Sequence, residues 1–177
     1  MQNSIPQPPL PWVTSYREIK NQTLLTQTAM KELRRLINFT QLRFHCKKQN
    51  PSHTIHIATV KNSSGEAVVQ YFSGQTDVLP IACGSFYKIK DDNSKLANKC
   101  QEWGRDNGKY KVNKWGHEMD NAFGSDPHKE TRLFNHTMFV SGDAHWVLGY
   151  KKRFECDDYN AGGTTVFSGG LWEIFVR

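Results

Sequence analysis

Three stretches of the chain gather side chains able to do chemistry. Trp103-Gly104-Arg105-Asp106-Asn107-Gly108, Lys114-Trp115-Gly116-His117-Glu118 and Asp157-Asp158-Tyr159-Asn160 each set an indole or a phenol beside carboxylates, amides or an imidazole. A flat apolar ring packs against the C–H face of a sugar, while fixed polar groups exchange hydrogen bonds with its hydroxyls. The expected ligand is therefore a glycan. Its candidate contacts are Trp103, Asp106, Asn107, Trp115, His117, Glu118, Asp157, Asp158, Tyr159 and Asn160. The glycines beside Trp103 and Trp115 point to partly exposed indoles, whereas Trp146 and Trp172 lie in apolar runs and read as core.

Oxygen-rich loops at one end of a β domain also suit calcium, which takes six to eight oxygen ligands. Asp157, Asp158 and Asp120 are the candidate ligands, with calcium as a cofactor of glycan binding. The competing reading is that adjacent Asp and Asn residues, here and at Asp91-Asp92-Asn93, satisfy turn amides. Enzyme signatures are weak. Trp115-Gly116-His117-Glu118 lacks the second histidine of a zinc-protease helix, and no nucleophile elbow or phosphate-binding glycine loop occurs. A cofactor-free hydrolase or oxygenase using His117, His136, His145 and nearby carboxylates stays as an alternative. His53 and His56, three apart on a strand, point to opposite faces and make poor joint ligands.

Compartment follows from cysteines and acceptor triplets. Cys46, Cys83, Cys100 and Cys156 form an even set with no C-x-x-C pair, which favours disulfides over zinc or redox chemistry. Three pairings are open; Cys83–Cys100 would close a local loop and Cys46–Cys156 would tie an early strand to a late one. Asn-x-Ser/Thr triplets begin at Asn21, Asn38, Asn62 and Asn135, against about 1.6 expected by chance. Together these features describe a secreted glycoprotein. The opening MQNSIPQPPLPWV has no apolar core of the kind a secretory signal needs, so the secretory reading carries the expectation that such a signal has been removed. A net charge of +6 and a pI near 9.2 arise from scattered Lys and Arg clusters. In a secreted protein these suit sulfated glycans or an acidic receptor rather than nucleic acid, for which no recognition motif is present.

The elements that must position these residues come next. Residues 1–12 hold four of the seven prolines and read as an extended leader. Residues 13–41 lack Gly and Pro, and Leu25, Ala29, Leu33, Leu36 and Thr40 recur at helical spacing. This predicts an amphipathic helix over roughly 18–40, with Lys31, Arg34 and Arg35 outward; packing on the domain, oligomerisation and membrane contact are its three uses. From residue 42 to 177 the period becomes two, with strands expected at 42–47, 54–60, 67–72, 85–89, 138–140, 145–148, 152–156 and 171–176, and a short helix capped by Ser94. The expected fold is mainly β: an antiparallel sandwich or barrel-like domain carrying an N-terminal amphipathic helix. No apolar run is long enough to span a bilayer. The function this supports first is a secreted carbohydrate-binding module. The alternatives are an adhesion or signalling ligand with a basic face, a small enzyme, and a membrane-active protein.

Overall fold

The computed structural model describes residues 13–14, 25–49, 52–118, 127–149, 153–160 and 170–177. The chain is mainly β, with antiparallel sheets and few helices. In order, the elements are β1 (Val13–Thr14), α1 (Gln27–Ile37), β2 (Leu42–Lys48), β3 (His53–Thr59), α2 (Ser63–Phe72), β4 (Phe86–Lys88), α3 (Lys95–Asn98), β5 (Arg105–Asp106), β6 (Lys109–Tyr110), α4 (Pro127–Glu130), β7 (Asn135–Val140), β8 (Ala144–Leu148), β9 (Phe154–Asp158) and β10 (Leu171–Val176). Five strands form one sheet in the order β1-β10-β2-β3-β4, three form a second in the order β7-β8-β9, and β5-β6 is a separate hairpin.

Alternation along β2 builds the core. Leu42, Phe44 and Cys46 turn inward and are fully buried, while Arg43, His45 and Lys47 face the other way. Across the core, β8 contributes Trp146, whose ring meets Phe44 edge-on at 5.7 Å. Cys46 is bonded to Cys156 of β9, joining the inner faces of the two sheets, and Cys83 is bonded to Cys100. By loop length alone these crosslinks contribute about 5 and 3 kcal/mol through the unfolded chain.

Helices depart from the period-two reading in one place. Residues 67–72, expected as a strand, belong to α2. Asn62 is its N-cap, the side chain accepting from the Ser64 and Gly65 amides, and Val68, Val69 and Phe72 then fall on one buried face at helical spacing. A run of apolar residues this short fits either period; the cap decides. Gly65 is required by crowding, since a Cβ there would lie 1.9 Å from the Val60 carbonyl oxygen. The Ser94 cap forms as expected, accepting from the Ala97 amide at the start of α3.

In α1, Thr26 accepts from the Ala29 amide and Asn38 closes the helix in the left-handed region. The part of the expected helix before residue 25 lies outside the described residues. The inward face differs from the expected stripe. Gln27 and Met30 are buried, Leu36 is 69% exposed, and Arg34 turns in to bond Glu66 at 2.6 Å and Gln75 at 3.0 Å. Arg34, with its side chain 11% exposed, makes the contact with α2 through its pair with Glu66. Gly65→Ala is expected to lower stability by about 2–4 kcal/mol, through clash with backbone that cannot yield. Chemical denaturation checks this; no loss, or the gain of about 1 kcal/mol that helix propensity alone gives Gly→Ala, contradicts it.

Candidate functional site

The segment from Trp103 to Glu118 is stitched to the body by main-chain bonds. Gly104 N–H donates to Phe139 O, Trp115 N–H to Pro80 O and Gly116 N–H to Thr137 O, while Glu118 N–H returns to Arg105 O. Trp103 and Trp115 are fully buried, not partly exposed as their glycine neighbours led us to expect. Trp103 stacks on Phe86 at 5.0 Å and donates to Leu96 O; Trp115 packs on Phe44 and donates to Ser85 Oγ. The glycines serve close approach instead. Gly104 sits at a φ of +85°, with Lys114 O 2.3 Å from where a Cβ would be, so the backbone folds tightly and drives both indoles inward.

This anchoring brings Asp106, His117 and Glu118 to one cleft of about 320 Å³, lined also by Tyr71, Asp77, Val78, Leu79, Lys114 and Arg132. Its charged groups are tied to one another. Lys114 pairs with Asp106, Arg105 Nε lies 3.1 Å from Glu118, and Arg132 lies 2.9 Å from Asp77. Glu118 also accepts the Gly108 N–H at 2.8 Å. Arg132 is buried and donates to the carbonyls of Tyr71 and Thr76, so it fixes the 76–79 wall as well. Hydrogen bonds from Lys129 and Arg132 hold the Asp77 carboxyl below its ordinary value. Asn107 is exposed on the β5–β6 turn in the left-handed region, and its side chain reaches Asp106.

A row of histidines runs from the cleft across the second sheet. His117 contacts His136 at 5.8 Å between ring centroids, and His136 contacts His145 at 5.3 Å. Tyr159 covers His145 at 4.6 Å. Two irregularities aim this row. The β7–β8 register shifts between Asn135 and Phe139, with His136 at a φ of 54°, and the β8–β9 register shifts beside Asp157, at a φ of 60°. Arg153 is the hub: it donates to His136 Nε2 at 3.2 Å, lies 2.7 Å from His145 Nδ1, and grips Glu155 through two bonds. Glu155 is almost wholly buried. Burial alone would raise its carboxyl, but bonds with His145, Arg153 and the Asn160 amide overcome this and hold it at about 2. Burial, then the neighbouring charges of His145 and Arg153, push His136 down to about 2.

The remaining expected site residues are placed elsewhere. Asp157 and Asp158 belong to β9, not to a loop. Asp157 accepts the Lys95 and Leu96 amides at the start of α3, and burial raises its pKa against their pull. Asp158 accepts from Lys48 and from the Cys156 amide. Each of their four oxygens accepts from a protein donor, as the turn-satisfying reading expects; Asp120 lies outside the described residues. Tyr159 is exposed and Asn160 donates its amide to Glu155, both beside the histidine row rather than in the cleft. Of the acceptor asparagines, Asn38 and Asn62 are exposed, Asn135 is buried in β7, and Asn21 is outside the described residues.

Sequence reasoning overlooked Tyr71, Asp77, Arg132, Arg153 and Glu155. The alternation in KRFEC that puts Glu155 on the face of β9 opposite Cys156 was legible; its burial against Arg153 and His145 was not.

The lowered His136 has a consequence for stability. The unfolded chain takes up a proton near pH 6.5 that the folded chain refuses, so stability is full above that pH and falls below it. The predicted loss at pH 5.0 relative to pH 7.5 is about 1–2 kcal/mol from His136, with His56, also lowered chiefly by burial, adding in the same sense. Glu155 adds a further loss only below about pH 4.5. Denaturation at the two pH values should show His136→Gln to be less pH-sensitive than the parent; equal sensitivity contradicts the assignment. No family model matches this sequence, and neither a curated protein nor a solved structure is significantly similar to it.

Proposed function

We propose that the protein is a carbohydrate-binding module whose ligand enters the cleft formed by the 76–79 wall and the 103–118 segment. The observation that carries this reading is the pairing of every carboxylate in the lining. Lys114 holds Asp106, Arg105 holds Glu118, and Arg132 and Lys129 both hold Asp77. A densely paired, hydrogen-bonded wall beside the apolar surfaces of Tyr71, Leu79 and the exposed Val78 suits a neutral polyhydroxylated ligand. It is poorly matched to a strong anion, for which these cations would have to leave their carboxylates.

The same pairing argues for holding a ligand over cleaving it. Asp106 and Glu118 are committed to Lys114, Arg105 and the Gly108 amide, so neither stands ready as a general acid or base. His136, depressed to about 2, is not a proton donor near neutral pH. The basic-face alternative loses support in the same way: Lys88 pairs with Asp92, Lys99 with Asp143, Lys111 with Glu102 and Lys129 with Asp77. The two disulfides support a secretory route, on which Asn38 and Asn62 are the glycan acceptors we expect. No helix among the described residues is long and apolar enough to cross a membrane.

A glycan array probed with the full chain should return neutral saccharides. Asp106→Asn, which leaves Lys114 without its partner, should weaken the best of them at least about tenfold, or 1.4 kcal/mol. Chelator should leave binding unchanged, because Asp157 and Asp158 are occupied. Binding confined to sulfated glycans, or no binding at all, overturns the proposal.

A further inference from the structure

A second cluster of ligating side chains lies on the face of the five-stranded sheet that points away from the core. His45 of β2 and His56 of β3 are direct cross-strand partners, and their rings sit 4.3 Å apart between centroids. Glu173 of β10 is the partner of His45 on the other side, with its Oε2 2.9 Å from His45 Nδ1. Three neighbouring strands thus present Glu173, His45 and His56 as one row. The turn after β4 adds Asp91, whose Oδ1 lies 2.5 Å from His56 Nδ1.

That turn is fixed to the strand carrying His56. Ile89 N–H donates to His56 O, Asp92 accepts the His56 amide at 2.7 Å, and Asn93 N–H donates to Thr54 O. Asp91 is therefore held in place by its neighbours' backbone bonds, not by its own flexible reach. One donor atom each from His45, His56 and Asp91 fall within 4.8 Å of one another. Ligands on a single ion at bond lengths of about 2.0–2.2 Å stand roughly 3–4 Å apart, so a small closure completes the set. The imidazoles are largely shielded, at 16% and 12% side-chain exposure, whereas Asp91 is 58% exposed and opens the cluster to solvent. His56 Nε2 is buried without a hydrogen-bond partner among the described residues.

We propose that His45, His56 and Asp91 bind a divalent transition-metal ion of the zinc class, with Glu173 orienting His45 through its Nδ1. Two imidazoles and a carboxylate are the donor set such borderline ions prefer, whereas calcium and magnesium require a shell of oxygens. A carboxylate on the far nitrogen of a ligating histidine fixes ring and tautomer, and losing it typically costs 10–100-fold in metal affinity. Asp91 and Glu173 supply two negative charges toward the ion. Arg43, stacked over Phe175 at 3.7 Å, and Arg177 oppose them from the same face.

The test is calorimetric titration of Zn²⁺ into the full, chelator-stripped chain at pH 7.4, with Ca²⁺ as contrast. The expected result is one Zn²⁺ per chain with a Kd of about 10 µM or tighter, unaffected by millimolar Ca²⁺. Asp91→Asn, at an exposed position that the fold tolerates, should raise the Kd about 10–100-fold. His45→Gln should do the same, while His53→Gln, on β3 but on its other face, should not. Absence of saturable Zn²⁺ binding overturns the proposal, and so does a Kd that Asp91→Asn leaves unmoved. The glycan reading rests on different residues and survives either result.

Discussion

Burial of two indoles holds the candidate site together. Trp103 and Trp115, packed edge to face at 5.0 Å and wedged against Phe86 and Phe44, bind the 103–118 segment to the first sheet. That segment carries Asp106 and Lys114 between the anchors, and His117 and Glu118 just after the second. Each buried indole satisfies its N–H, on Leu96 O and Ser85 Oγ, so no polar cost offsets the apolar gain. The cleft is a surface consequence of an interior arrangement.

The other wall depends on different chemistry. Arg132 is 4% exposed, and reaches two carbonyls and Asp77 while its guanidinium lies over the Tyr71 ring at 4.3 Å. The Cys83–Cys100 bond then ties the chain leaving this wall to the turn that leads into Trp103. Both walls are thereby pre-positioned, which spares a ligand the cost of ordering them. The second sheet adds a histidine row organised by the Arg153–Glu155 pair.

Much of this architecture was legible in the residues, and the gaps have physical causes. Alternation along 42–47 and 171–176 reports the two faces of the main sheet because one face is buried and the other is not. The Ser94 cap was readable since its signal is local. Residues 67–72 misled because Val68, Val69 and Phe72 satisfy both periods, and only the Asn62 cap with Gly65 separates them. Trp103 and Trp115 misled because a glycine neighbour can signal exposure or close approach, and tertiary contacts decide which. The pairing of His45 with His56 was within reach. The antiparallel pairing of β2 with β3 joins positions whose numbers sum to 101, whereas weighing His53 against His56 within one strand could not find it. The histidine row was out of reach, because two register shifts in the second sheet set its side chains.

The 76–79 wall and the 103–118 segment are proposed to form one ligand site for a neutral sugar. Heteronuclear NMR of the labelled chain, titrated with a neutral oligosaccharide that it binds, puts this to the test. Saturable amide shifts are expected at Val78, Gly108, His117 and Glu118, with those of β2 and β3 unmoved. Shifts centred on Tyr159 and Asn160, or on the outer face of the five-stranded sheet, would contradict it.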